Sequence, residues 1–174
     1  METQRFFTYY NVMNSKQIFL FYISKILNLS LKNFYTIMIQ NKTEIRVRYA
    51  DTDQMNIVYN GKYFEYFEVG RTEMLRSINL IYKDIEEKGF LLPVIECYAK
   101  YISPAFYDEI LIIESQLLKI PQIKIHIDYK IYRKNQNQLI TEGYTVHTFV
   151  NKKTNKAVRI PEFFNEAIKQ YFQE

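Results

Sequence analysis

The chain has 174 residues, enough for one domain with a core, and its 48% apolar against 24% charged residues exclude intrinsic disorder. Its net charge of +4, from 23 Lys and Arg against 19 Asp and Glu, tolerates an anionic ligand but is too small and too scattered for a nucleic-acid binder. The single cysteine excludes an internal disulfide framework, and two histidines without a CxxC or HExxH motif leave little from which to build a zinc site.

Residues 1–40 read as an extension and 41–174 as one domain. Gln17 to Ile39 is apolar and aromatic, but Lys25 and Lys32 interrupt it. It is too broken for a membrane-spanning helix, which takes about 20 mostly apolar residues. It has no small-residue cleavage site of the secretory kind. It reads as an amphipathic helix that packs on the domain or lies on a membrane, as a weak anchor, or as untranslated sequence upstream of a start at Met38. The last is preferred, membrane contact through 17–39 is less favoured, and a cytoplasmic location follows.

From Glu44 the pattern becomes regular. Ile45, Val47 and Tyr49 alternate with Arg46 and Arg48, which predicts a half-buried strand. A turn-rich DTDQMN follows. Asn60 to Ile78 then has helical spacing, with Tyr63, Phe67, Gly70, Met74 and Ile78 on one face. Gly70 costs about 1 kcal/mol inside a helix, so it marks a close helix–sheet approach. A short helix over Ile81 to Lys88 ends at Gly89. Strands are expected over Leu91 to Ile102, Ile110 to Leu118, Ile123 to Tyr132 and Leu139 to Val150, the last two as a hairpin. The third alternates strictly and is the clearest strand in the chain. Cys97, in an apolar run, reads as a small buried hydrophobe. A helical tail starts after Pro161. The fold class is α+β, with an antiparallel sheet facing one buried helix.

The chemistry-bearing segment is Tyr49 to Leu75. Asp51 and Asp53 lie between a strand end and a helix start, where carboxylates most often cap free amides. The same place suits catalysis. The free amides and positive end of the helix favour a developing negative charge, and a carboxylate just upstream can act as base or nucleophile. His126 and His147 read as surface or packing residues. Arg71 and Glu73 read as a structural pair across the helix or an interface. Lys100, Lys124 and Lys130 read as solvated strand-face residues, although a CoA phosphate would suit them.

The segment resembles the hotdog-fold acyl-CoA thioesterases of the 4-hydroxybenzoyl-CoA thioesterase-like branch, which includes the small thioesterases associated with the Tol–Pal system. Tyr49, Asp51, Thr52, Asp53, Val58, Tyr59, Asn60, Tyr63 and the run Arg71 to Leu75 carry the likeness in order. A second match lies in KYISPAFYDEILI, Lys100 to Ile112. The resemblance implies five or six antiparallel strands wrapped around one long helix. It implies hydrolysis of acyl-CoA to free acid and CoA without metal or organic cofactor, and a homodimer or homotetramer with sites at the interface. It assigns Asp53 as general base or nucleophile, Tyr49 as an active-site tyrosine, and Asn60 as the residue at the helix start whose amide faces the thioester carbonyl. Tyr59 and Gly61 would contact substrate. Two departures stand out. Asn56 replaces a usual loop glycine, which a left-handed asparagine can bear. Asn60 replaces a common His, which removes any acid–base role of that side chain. A non-catalytic thioester-binding module and a hotdog hydratase or dehydratase remain the alternatives.

Overall fold

The computed structural model describes residues 38–172. The readings made for 1–37 lie outside the described residues. The elements in order are β1 Ile39–Arg46, a 3-10 turn Tyr49–Asp51, α1 Lys62–Ser77, α2 Tyr82–Glu87, β2 Phe90–Leu91, β3 Val94–Tyr101, β4 Ile110–Leu117, β5 Lys124–Arg133, β6 Gln138–Asn151, β7 Lys156–Val158 and α3 Glu162–Lys169. All strand pairs are antiparallel. The five long strands lie in the order β1-β4-β5-β6-β3, and the short β2 and β7 pair with the far end of β6. Sheet and helices together form the hotdog arrangement, with α1 held by the sheet. Among the described residues no helix is long and apolar enough to cross a membrane.

Strict alternation builds the inner face. Leu111, Ile113, Ser115 and Leu117 of β4 and Ile125, Ile127, Tyr129 and Ile131 of β5 are buried, while their neighbours in sequence are half-buried or exposed. From α1, Tyr63, Tyr66, Phe67, Met74 and Leu75 meet that face. Two glycines set how close the helix can come. A Cβ on Gly70 would stand 2.5 Å from Ser115 Oγ and 2.6 Å from Ile113 Cγ2. On Gly143 of β6 it would stand 2.2 Å from the Tyr98 carbonyl and 2.9 Å from the Phe67 ring. The Phe67 ring lies flat on Tyr129, centroids 4.4 Å apart. The close approach expected at Gly70 is therefore present, and the sheet supplies a second one. The helix ends in a Schellman arrangement with left-handed Asn79, where the Leu80 amide donates to Leu75 and the Asn79 amide to Arg76.

Several boundaries differ from expectation. The first strand begins at Ile39 and stops at Arg46, because an ion pair between Arg48 and Asp51 folds the next residues into the 3-10 turn. The strand expected from Leu91 is split around Pro93, which has no amide to give to a ladder. The tail helix, expected from the sequence over Glu162 to Phe172, ends at Lys169. Cys97 is exposed, contrary to the buried reading: among the described residues β3 pairs only with β6 and so forms a sheet edge, and it is exposed along most of its length. Arg71 does not pair with Glu73. It points inward and is 5% exposed, with Nη1 at 2.8 Å from His147 Nδ1, whereas Glu73 faces outward and pairs with Arg76.

Candidate active site

The loop before α1 is fixed by Asp51. Its carboxylate is fully buried and accepts from the Arg48 amide at 2.9 Å, from Arg48 Nη2 at 2.9 Å and from the Tyr66 hydroxyl at 3.1 Å, while Lys62 Nζ lies 3.8 Å away. Burial by itself pushes this carboxyl up, but the bonds from Arg48 and Tyr66 outweigh it and hold the group below its ordinary value. Burial, followed by the charge of Asp51, pushes the Tyr66 hydroxyl up in return. The Asp51 carbonyl accepts from the Tyr59 amide at 2.9 Å. Asp51 thus ties both arms of the loop to the helix and has no capacity left for a ligand.

Asp53, two residues on, sits at the mouth of a tight hairpin. Its amide donates to the Ile57 carbonyl at 3.0 Å, and the Asn56 amide donates to the Asp53 carbonyl at 3.0 Å. Asn56 closes the turn with φ of 60°, the left-handed conformation expected at that position. One carboxylate oxygen of Asp53 accepts from the Met55 amide at 2.8 Å, as in an Asx turn. The other has no protein partner among the described residues.

Asp53 and Asn60 line a cavity of about 650 Å³, with Tyr59, Tyr63 and Tyr101 among its aromatic walls. Asn60 and Gly61 form the entry to α1, with Gly61 as its N-cap. Neither of their amides donates to a protein acceptor among the described residues. The cavity therefore combines a carboxylate oxygen with unused donors at the positive end of a 16-residue helix. A carboxylate and oriented amides of this kind can attack or hydrate an acyl carbon and hold the oxyanion that results.

The structure brings Asp53, Tyr59 and Asn60 to one cavity, with Gly61 following directly. Tyr49 lies outside the lining. Its ring is 80% exposed and meets Tyr107 edge-on, centroids 5.9 Å apart. Tyr101, Ile102, Ser103 and Pro104 also line the cavity and were not among the expected site residues. They stand in the second matched segment, which was the signal that could have found them. None of Lys100, Lys124 and Lys130 lines the cavity, and Lys100 pairs with Glu142 at 3.0 Å. His126 is exposed, and His147 is buried against Arg71 and Thr145. Among the described residues no group of three His, Cys, Asp or Glu is placed to hold a metal ion.

Comparison with known proteins shows the family. Residues 47–168 match the family model of the thioesterase-like superfamily. The chain is 34% identical to YneP of Bacillus subtilis (strain 168), whose name assigns acyl-CoA thioesterase activity provisionally, over 71% of this chain and 89% of that protein. It is 31% identical to the acyl-CoA thioesterase YbgC of Haemophilus influenzae, over 59% of this chain and 74% of the relative. Among solved structures, the DHNA-CoA thioesterase from Staphylococcus aureus superposes with a TM-score of 0.71 at 29% identity, covering 75% of this chain and 89% of that one.

Proposed function

The chain belongs to the thioesterase-like superfamily, and from that premise we propose how its site acts on its substrate. The protein is a thioester hydrolase that cleaves acyl-CoA to a free acid and CoA. Asp53 supplies the carboxylate. It either takes a proton from water as the water oxygen adds to the thioester carbon, or adds to that carbon itself and is released by water afterwards. In both courses the carbonyl becomes an oxyanion held by the Asn60 and Gly61 amides. The carbon–sulfur bond then breaks and CoA leaves as the thiolate, which takes a proton from Asp53 in the first course and from solvent in the second. The water oxygen ends in the product acid in the first course, and in the second it enters the Asp53 carboxylate when water attacks the Asp53 carbon of the mixed anhydride, so ¹⁸O found in Asp53 after a single turnover in ¹⁸O-water identifies the covalent course.

The observation that carries this reading is that Asp53, with one carboxylate oxygen free, and Asn60 line one cavity at the entry of α1, where the Asn60 and Gly61 amides have no protein acceptor among the described residues. Asn60 in place of histidine is compatible with it, because a backbone donor does not depend on the side chain. The same replacement is what favours a non-catalytic binder instead. CoA release in a thiol-colour assay with short-chain and aromatic acyl-CoAs decides between them. Turnover supports the hydrolase, and tight binding without turnover supports the binder.

We place the enzyme in the cytoplasm, where acyl-CoA is made and used, and we propose that it works as a homodimer or a dimer of dimers. Edge strand β3 exposes Val94, Ile95, Tyr98 and Tyr101, with Ile102 beyond its end. An edge left without a second strand among the described residues, with such a row, is what a second copy would cover. A fully active monomer in light scattering would overturn this assembly.

A further inference from the structure

We infer that Tyr101 is a positioning residue for the oxyanion site, acting through the Asn60 carbonyl. This inference rests on the hydrolase reading above and deepens it. The Tyr101 hydroxyl donates to the Asn60 carbonyl oxygen at 3.0 Å, across from the last residue of β3 to the turn that opens α1. Its ring is held against Tyr63, centroids 5.3 Å apart, and Tyr63 is itself buried in the core. The rest of the entry turn is tied by backbone: the Val58 amide to the Ala105 carbonyl at 2.9 Å, the Tyr59 amide to Asp51 at 2.9 Å and the Lys62 amide to Tyr59 at 2.9 Å. The peptide joining Asn60 to Gly61 differs, because its carbonyl is held by a side chain and its N–H is held by nothing among the described residues.

Two consequences follow from peptide chemistry. The group is planar, so fixing the direction of the carbonyl also fixes that of the Gly61 N–H on the other side of the bond. A hydrogen bond accepted by the carbonyl also polarises the whole amide and makes its N–H a better donor. Tyr101 therefore orients and strengthens the Gly61 donor at the helix entry without touching the reacting atoms. Phenylalanine at this position would keep the ring packing and lose only the hydroxyl.

The test is Tyr101→Phe, read by kinetics on butyryl-CoA and benzoyl-CoA and by the ¹⁵N resonance of the Gly61 amide in the free protein. The expected kcat falls about 10-fold, a fraction of what one direct oxyanion donor supplies. KM stays within about twofold, since the ground state loses no contact. The melting temperature stays within about 2 °C. The Gly61 nitrogen signal moves upfield as its peptide loses polarisation. An unchanged kcat, or a rise in KM that accounts for the whole loss, overturns the inference while leaving Asp53 and the hydrolase reading intact. If the wild-type protein cleaves neither thioester, the hydrolase reading fails on these substrates. The Gly61 resonance then decides alone, and an unmoved signal in Tyr101→Phe rejects the positioning role.

Discussion

At the entry of α1, polar groups are left with capacity to spare, while near its middle they are nearly used up. The first region holds a half-buried Asp53 with one carboxylate oxygen free and Asn60, both lining a cavity, and the Asn60 and Gly61 amides, which have no acceptor among the described residues. The second holds a buried chain of four side chains. Arg71 Nη1 meets His147 Nδ1 at 2.8 Å, His147 Nε2 meets Thr145 Oγ1 at 2.7 Å, and Thr145 Oγ1 meets the Tyr129 hydroxyl at 2.8 Å. Only Arg71 Nε in that chain is buried without a partner. Titratable groups are present in both places, and the histidine lies in the second, yet only the first offers unused bonds to a ligand. The second region spends its polar groups on holding α1 against β5 and β6. Unused hydrogen-bonding capacity facing a cavity, rather than residue type, separates chemistry from structure here.

The strongest way to break this contrast is Asp53→Asn. It should lower kcat by about 10² or more with an unchanged melting temperature, because the residue supports the reaction rather than the fold. Its neighbour gives the reverse pattern. Asp51→Asn weakens the bonds from Arg48 and Tyr66 inside a buried site and should cost about 1–3 kcal/mol of stability. Its kcat per folded molecule should fall less than that of Asp53→Asn. Equal rate losses at the two positions, measured beside urea unfolding curves, would erase the division between them.

The second region should show itself in the pH dependence of stability. Burial, followed by the charge of Arg71, pulls the His147 pKa down to about 3, so the folded state keeps the ring neutral. An unfolded histidine takes up a proton near 6.5, so below that pH the unfolded state binds more protons. This contribution is complete above pH 6.5 and is lost as the pH falls towards 3. Between pH 7 and pH 5 the loss should be about 2 kcal/mol, and His147→Gln should flatten that slope. Unfolding curves at the two pH values check both. The smallest expected effect is at Asn60. If the backbone amide is the donor, Asn60→Ala, which removes an exposed side chain that makes no cap bond, should change stability by no more than about 0.5 kcal/mol and cost a modest part of the rate. Asn60→His should be tolerated. A loss of about 10²–10³ in kcat for Asn60→Ala at unchanged stability would move the donor to the side chain.

The sequence was most legible where period or turn chemistry was strong. The alternation from Ile125 to Ile131 placed β5, the helical face of Tyr63, Phe67 and Met74 placed α1, and Asn56 marked the left-handed turn. It was least legible at edges. In β1 only Ile39 is buried, so its first half carries no alternation to read. Cys97 lies in an apolar run, but burial depends on what covers a strand, and α1 leaves the β3 edge open. The Arg71–His147 pair joins residues 76 positions apart, and local spacing carries no trace of it. At the site, the loop residues Asp53 and Asn60 were legible through their motif. The wall from Tyr101 to Pro104 was hidden because its place beside the loop is set by strand pairing.

The most direct measurement of the account is a crystal structure of Asp53→Asn with benzoyl-CoA bound and uncleaved. The account places the thioester carbonyl oxygen about 2.7–3.1 Å from the Asn60 or Gly61 amide, with the substituted side chain facing the carbonyl carbon. A thioester seated elsewhere, with both amides left to solvent and the residue 53 side chain turned away, would contradict it.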